Sequence, residues 1–169
     1  GRTGWTNKSL KDPDTNILRQ TTEAISGISG GVTSILIHSS HTYSIESDNW
    51  FYKRLALNIS HILKEESYLS KVNDPMRGAY IIEKMTLVLI QKCWTQFLKF
   101  TAIETRSSIV ELLKESVDKT RTKKLTAFKE GKHELIGINL FQNKIEQKNT
   151  WSKVPKYLNF SYLIFEKEV

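Results

Sequence analysis

Arg54-Leu-Ala-Leu-Asn58-Ile-Ser-His-Ile-Leu-Lys-Glu65-Glu66-Ser67-Tyr-Leu-Ser-Lys-Val-Asn-Asp74-Pro75-Met-Arg-Gly78-Ala-Tyr80-Ile-Ile-Glu83 is the stretch on which the reading of this chain turns. With Phe51 just before it, Leu55, Ile59, Ile62 and Leu63 lay an apolar stripe along its first half, at the spacing of one helix face. Asp74-Pro75-Met-Arg-Gly78 has the residue types of a turn. Beyond it, Ile81, Met85, Val88, Leu89, Cys93, Phe97 and Leu98 give a broad second stripe. Helix, turn and long helix are therefore the expectation for residues 51–100.

Upstream, Asp12-Pro13 suits a helix start, since aspartate caps free amides and proline fits the first turn. Ile17, Leu18, Thr21, Ile25 and Ile28 follow a helical period, and Gly27, Gly30 and Gly31 end or loosen it. Val32 to Ile37 is short, apolar and β-branched, the pattern of a buried strand. A polar loop follows, from Ser39 to about Asp48. Helix, strand and helix in this order imply α/β packing. Downstream, Ile109, Leu112, Leu113 and Val117 predict another helix, continuing towards Phe128 and closed by Glu130-Gly131-Lys132. Leu135-Ile-Gly137-Ile-Asn139 reads as a short strand or extended segment, and the tail from Trp151 to Phe165 is aromatic without a clean period. The fold class is thus α/β and mostly helical.

These local patterns also resemble, piece by piece, the coenzyme-B12-dependent acyl-CoA mutases, above all the non-catalytic small subunit of methylmalonyl-CoA mutase. The resemblance runs through Asn7-Lys-Ser9, Asp12-Pro13, Asn16, Arg19, Thr21-Thr22-Glu23-Ala24, Gly30-Gly31, Phe51, Arg54, Asn58, Glu65-Glu66-Ser67, Asp74-Pro75, Tyr80, Glu83 and Leu135–Asn139. It implies an incomplete portion of a (β/α)8 TIM barrel with a C-terminal helical extension. Residues 1–66 would be the terminal strands and helices of the barrel, 67–145 the helical extension, and 146–169 a tail or linker. A whole barrel needs about 250 residues, more than the 169 here. The resemblance therefore also implies a fragment or short form, structural and inactive alone.

The family's isomerase reaction interconverts methylmalonyl-CoA and succinyl-CoA through adenosylcobalamin, which carries the hard chemistry. The family's Asp-x-His-x-x-Gly cobalt loop has no match among His38, His41, His61 and His133, so no cofactor is expected on this chain alone. No catalytic residue and no metal ligand is expected either. Arg2 and Thr3 fall beside the family's substrate-side strand end, and Arg2 suits a CoA carboxylate or phosphate. Asn7, Asp12, Arg19, Glu23, Arg54, Asn58, Glu65, Glu66, Asp74, Tyr80 and Glu83 match family positions with structural roles. For Arg54, Asn58 and Glu65 that role would be hydrogen bonding between the last barrel helix and the extension. Leu57, Ile59-Ser60 and Arg77 depart from the family pattern, so part of that network is rewired. The implied partner is a catalytic mutase subunit in a heterodimer, or a second copy joined through exposed barrel edges.

Composition sets the remaining bounds. Net charge is +7, with residues 1–70 neutral and residues 71–130 holding twelve basic and seven acidic groups. Lys119-Thr-Arg121-Thr-Lys123-Lys124 is the densest basic run, yet it lacks an aromatic platform for bases. A solvated lysine-rich face explains it, and no nucleic-acid partner is expected; a helical interaction module or a basic nucleic-acid binder are the alternative classes. Tyr80 to Phe100 is broken by Glu83, Lys84, Gln91, Lys92 and Lys99, so no membrane partner is expected. Single Cys93 reads as buried filler and fits a reducing, cytoplasmic setting.

Overall fold

The computed structural model describes residues 1–41, 49–103 and 105–142, together with the backbone of residues 156–157 and 160–161. Its elements are α1 (Thr15–Ser29), α2 (Trp50–His61), a π-helical turn (Ile62–Glu66), α3 (Tyr80–Thr101), α4 (Arg106–Lys129), β1 (Lys156–Tyr157) and β2 (Phe160–Ser161). The described residues are mostly helical. β1 and β2 pair antiparallel over two residues each. The chain divides into two compact units, one of residues 1–75 and 127–169, the other of residues 76–126.

In the first unit, α1 starts two residues later than Asp12 suggests. Asp14 is the residue at its cap, and Asp12 instead accepts the Thr15 hydroxyl at 2.5 Å. Gly30 ends the helix and Gly31 turns the chain with φ +75°. The apolar period assigned to α1 holds in part, since Ile17 and Ile28 pack against the core. Leu18 is 67% exposed, whereas the buried residues are Asn16, Gln20 and Ala24. The helix turns a polar face inward because the neighbouring segments offer backbone partners to satisfy it.

The predicted strand at Val32–Ile37 is reduced to one parallel bridge, Leu36 with Arg2. Leu36 N–H donates to Gly1 O at 2.9 Å and Thr3 N–H to Leu36 O at 3.0 Å. The chain bends at Thr33, so the run meets residues 1–3 at a single bridge and acquires no ladder. Asn49 caps α2, its side chain accepting from Phe51 N–H at 2.9 Å. The helix then widens into the π turn, where Ser67 N–H reaches Ile62 O at 2.9 Å. Ala24, Ile59 and Leu63 form the apolar core, flanked by Ile17, Ile28, Ile35, Ile37 and Leu69. Burying each large aliphatic side chain there is worth about 2 kcal/mol.

Leu135–Asn139 is not a strand but a tight turn. Asn139 holds it shut, accepting Leu135 N–H at 2.7 Å and donating to His133 O at 2.9 Å. Gly137 has φ +76°, and a Cβ added there would stand 2.8 Å from Asp12 Oδ2. Glycine is thus required twice, by conformation and by space. Arg19 Nη2 donates to Ile136 O, and Phe128, Leu135 and Ile138 close a small cluster around the turn.

The second unit is different in kind. α3 contains no buried residue. Ile81, Met85, Leu87, Leu89, Ile90 and Trp94 are all exposed, and Val110, Leu112, Leu113 and Val117 of α4 likewise. Cys93, expected as buried filler, is exposed. Its helical stripe exists, but nothing among the described residues covers it. No helix among the described residues is long and apolar enough to cross a membrane.

Candidate functional site

The densest polar arrangement in the chain lies where residues 3–9, α1 and residues 36–41 meet. Asn16, Gln20 and Glu23 follow at i, i+4 and i+7, one helix face. Glu23 gathers three donors: Gly4 N–H at 3.0 Å on Oε2, Asn7 Nδ2 at 2.9 Å and Lys8 Nζ at 2.6 Å on Oε1. Asn16 ties down the next segment. It accepts Ser9 N–H at 2.9 Å and donates back to Ser9 O at 2.7 Å and to Ser40 O at 3.2 Å. Arg19 Nη1 adds a bond to Asn16 Oδ1 at 3.1 Å, and Gln20 Nε2 reaches Ser39 O at 3.4 Å.

Thr3 completes the frame. It is buried, its N–H is spent on Leu36 O, and its hydroxyl accepts His38 N–H at 3.1 Å. Arg2, its neighbour, is exposed. Of the two residues expected on the substrate side, Thr3 therefore joins strands and only Arg2 faces outward.

Burial dominates the electrostatics here. The Lys8 side chain is 0% exposed, and loss of solvent pulls its amine below the usual lysine range, with the Glu23 carboxylate working against that pull. Burial also lowers His38, helped by the cations Arg2 and Lys8, and its Nε2 has no hydrogen-bond partner among the described residues. The His38 ring lies 5.9 Å from that of Trp5. His41 is lowered by burial, with Asp14 opposing; it stacks on Tyr52 at 3.5 Å, and its Nδ1 sits 3.0 Å from Ser40 Oγ.

The remaining sequence-derived positions fall into two groups. Asn7, Arg19 and Glu23 come together in the frame just described, and Asp12 lies at its edge, its N–H donating to Ser9 Oγ at 3.0 Å. Arg54 is exposed and Asn58 half-buried, and neither side chain makes a hydrogen bond among the described residues. Glu65 pairs with Lys64 on the surface at 3.0 Å, and Glu66 is exposed. Asp74, at φ +52°, lies beside Gly31. Tyr80 is exposed at the start of α3, and Glu83 Oε1 accepts Gly78 N–H at 3.0 Å in its first turn. Sequence reading missed Lys8, Asn16, Gln20, Ser39 and Ser40 as parts of the frame. The polar i, i+4, i+7 spacing on α1 was the available signal.

Chemically, the arrangement is a satisfied scaffold. Its carboxylate gathers three framework donors, and its amine is buried. No group of three or more His, Cys, Asp or Glu side chains that could hold a metal exists among the described residues.

A family model described as methylmalonyl-CoA mutase matches residues 1–159. The methylmalonyl-CoA mutase small subunit of Porphyromonas gingivalis is 32% identical over 151 residues, covering 85% of this chain and 24% of that protein. The methylmalonyl-CoA mutase of Rhizobium meliloti is 29% identical over 140 residues, covering 81% of this chain and 19% of that protein. The small subunit of Propionibacterium freudenreichii subsp. shermanii is 33% identical over 96 residues, covering 56% of this chain and 15% of that protein. The chain thus spans 24% or less of the length of these relatives.

Proposed function

The chain belongs to the methylmalonyl-CoA mutase family, and from that premise we propose that it serves as a structural part of a small, non-catalytic mutase subunit. The observation that carries this reading is the expenditure of the site. Thr3 and Glu23, the polar groups nearest the substrate-side strand end, are engaged in holding neighbouring segments together. Glu23 holds three framework donors at once, so most of its acceptor capacity serves the scaffold.

Residues 1–66 are read as the terminal strands and helices of a TIM-type barrel. The parallel bridge between Arg2 and Leu36, with α1 between its two arms, supports that reading. Residues 67–145 are the helical extension and 146–169 a tail or linker. The bare apolar stripe of α3 supports an extension whose burial comes from a partner, and the catalytic mutase subunit is that partner in a heterodimer. Arg54 and Asn58, without a described hydrogen bond, are candidates for bonds formed in that assembly. A cytoplasmic, reducing setting belongs to the same reading, with Cys93 as a free thiol.

Adenosylcobalamin supplies radical chemistry to the parent enzymes, but this chain's described histidines do not fit an axial cobalt ligand. His38 directs its Nε2 into buried surroundings, and His41 lies flat on Tyr52 with Nδ1 against Ser40. His61 and His133 are surface residues, and neither belongs to a group of three or more His, Cys, Asp or Glu side chains among the described residues.

The test is a titration of the chain with a catalytic mutase subunit, adenosylcobalamin and methylmalonyl-CoA, following co-elution and turnover. Co-elution without turnover by the chain alone is expected. Turnover by the chain alone, or no association at all, would overturn the reading.

A further inference from the structure

Arg19 stands between two parts of the molecule that are far apart in sequence. Its Nη1 donates to Asn16 Oδ1 at 3.1 Å, and its Nη2 donates to Ile136 O. Asn16 is buried and grips two further segments. It accepts Ser9 N–H at 2.9 Å, donates to Ser9 O at 2.7 Å and donates to Ser40 O at 3.2 Å. A second strut runs beside the first. Asp12 N–H donates to Ser9 Oγ at 3.0 Å, and a Cβ on Gly137 would lie only 2.8 Å from Asp12 Oδ2. Ser9 is thus held at its N–H, carbonyl and hydroxyl through two routes that both end on the turn Leu135–Asn139. Among the described residues, that turn makes no hydrogen bond of its own to Ser9 or Ser40.

We propose that the turn Leu135–Asn139 is a latch on the segments at Ser9 and Ser40. Closed, it presents Ile136 O to Arg19, and the guanidinium holds Asn16 in the position that bonds both segments. Open, it releases Arg19, and Asn16 loses the donor that fixes it. The planar guanidinium can serve both acceptors because its donors are forked; a lysine amine is a single point of donation. Asn139 alone decides whether the turn is shut by a side chain, since it both accepts Leu135 N–H and donates to His133 O. Ser9 and Ser40 follow the two arms of the parallel Arg2–Leu36 bridge, so they lie beyond the same end of it. That is the end at which parallel α/β folds place their ligand-binding loops. The latch therefore sets the order of two loops at that end from a distant part of the sequence. It operates whether or not the chain meets a catalytic subunit, and so stands apart from the heterodimer reading.

Hydrogen exchange of the chain alone, followed residue by residue by NMR, tests the latch. The reporters are the Ser9 N–H and the Asn16 side-chain amide, whose protons are held by Ser9 O and Ser40 O. Asn139→Ala should speed exchange at both by about tenfold or more, while the Ile59 amide in α2 stays within about twofold. Asn139→Asp keeps the acceptor for Leu135 N–H and should fall between the two. Arg19→Lys leaves the turn shut and should also speed exchange at the Asn16 side chain. Combined with Asn139→Ala, its effect there should fall well short of the product of the single effects, because both changes cut one path. Reporters indifferent to Asn139→Ala, reporters that accelerate only together with Ile59, or single effects that multiply would each overturn the proposal.

Discussion

The two units of this chain spend similar sequences in opposite ways. In the first, α1 turns Asn16, Gln20 and Ala24 inward while Leu18 stays in solvent. In the second, α3 carries more apolar residues and buries none of them. Apolar content therefore did not decide which helix acquired a core. What differs is the number of distant segments fixed around each helix. Residues 3–9, residues 36–41 and the turn at Leu135–Asn139 all bond to α1. Side-chain bonds across long sequence separations make the first unit, and the second awaits such neighbours.

That contrast can be broken most sharply at Glu23. Glu23→Ala strands the Lys8 amine in a buried site, and breaking such a pair costs about 3–5 kcal/mol. Denaturant melts should show that loss, whereas Lys8→Met in the Glu23→Ala background should recover most of it. Equal destabilisation in the single and double variants would mean that the pair is not the support described.

The clasp at Gly137 comes next. Gly137→Val forces a β-branched residue to φ +76° and drives its Cβ against Asp12. A cost of about 2–3 kcal/mol follows from strain and overlap together. Limited proteolysis should then cut after Lys132, where the parent resists. Asp12→Gly should return part of the loss by clearing the space.

Much of the element order was legible. The apolar periods of Trp50–His61, Tyr80–Thr101 and Arg106–Lys129 are local signals, and helices form where those periods lie. The strand runs were not legible as such. Val32–Ile37 has strand composition, but the chain bends at Thr33 and pairs at one bridge only, and composition does not show such a bend. Leu135–Asn139 misled for another reason. Its alternating aliphatics mimic a strand, while Gly137 and the side chain of Asn139 close a turn. At the site, Glu23, Asn7 and Arg19 were found only through the resemblance, whereas Asp12 also stood out as a helix start. Lys8 and Gln20 were passed over because a buried lysine or glutamine is rare enough to be read as surface.

Acid provides a smaller lever. Burial holds His38 and His41 below the ordinary histidine value of about 6.5, so the unfolded chain takes up protons first as pH falls. The stability tied to neutral histidines is present above about pH 6.5 and is lost as pH drops below it. The slope should not exceed about 1.4 kcal/mol per pH unit for each histidine. His38→Gln should flatten the melting-temperature profile between neutral and mildly acidic pH. An unchanged profile would assign the acid sensitivity elsewhere.

The smallest effects belong to α3. Leu87→Ser and Ile90→Ser should change the stability of the chain alone by less than about 0.5 kcal/mol, as exposed positions do. The same changes should weaken association with a catalytic mutase subunit.

Hydrogen exchange by mass spectrometry, with and without that catalytic subunit, tests the central claim most directly. The account predicts rapid exchange across Tyr80–Thr101 in the chain alone, marked slowing when the subunit is added, and little change in α1. Uniform protection of Tyr80–Thr101 in the chain alone, or no response to the subunit, would contradict it.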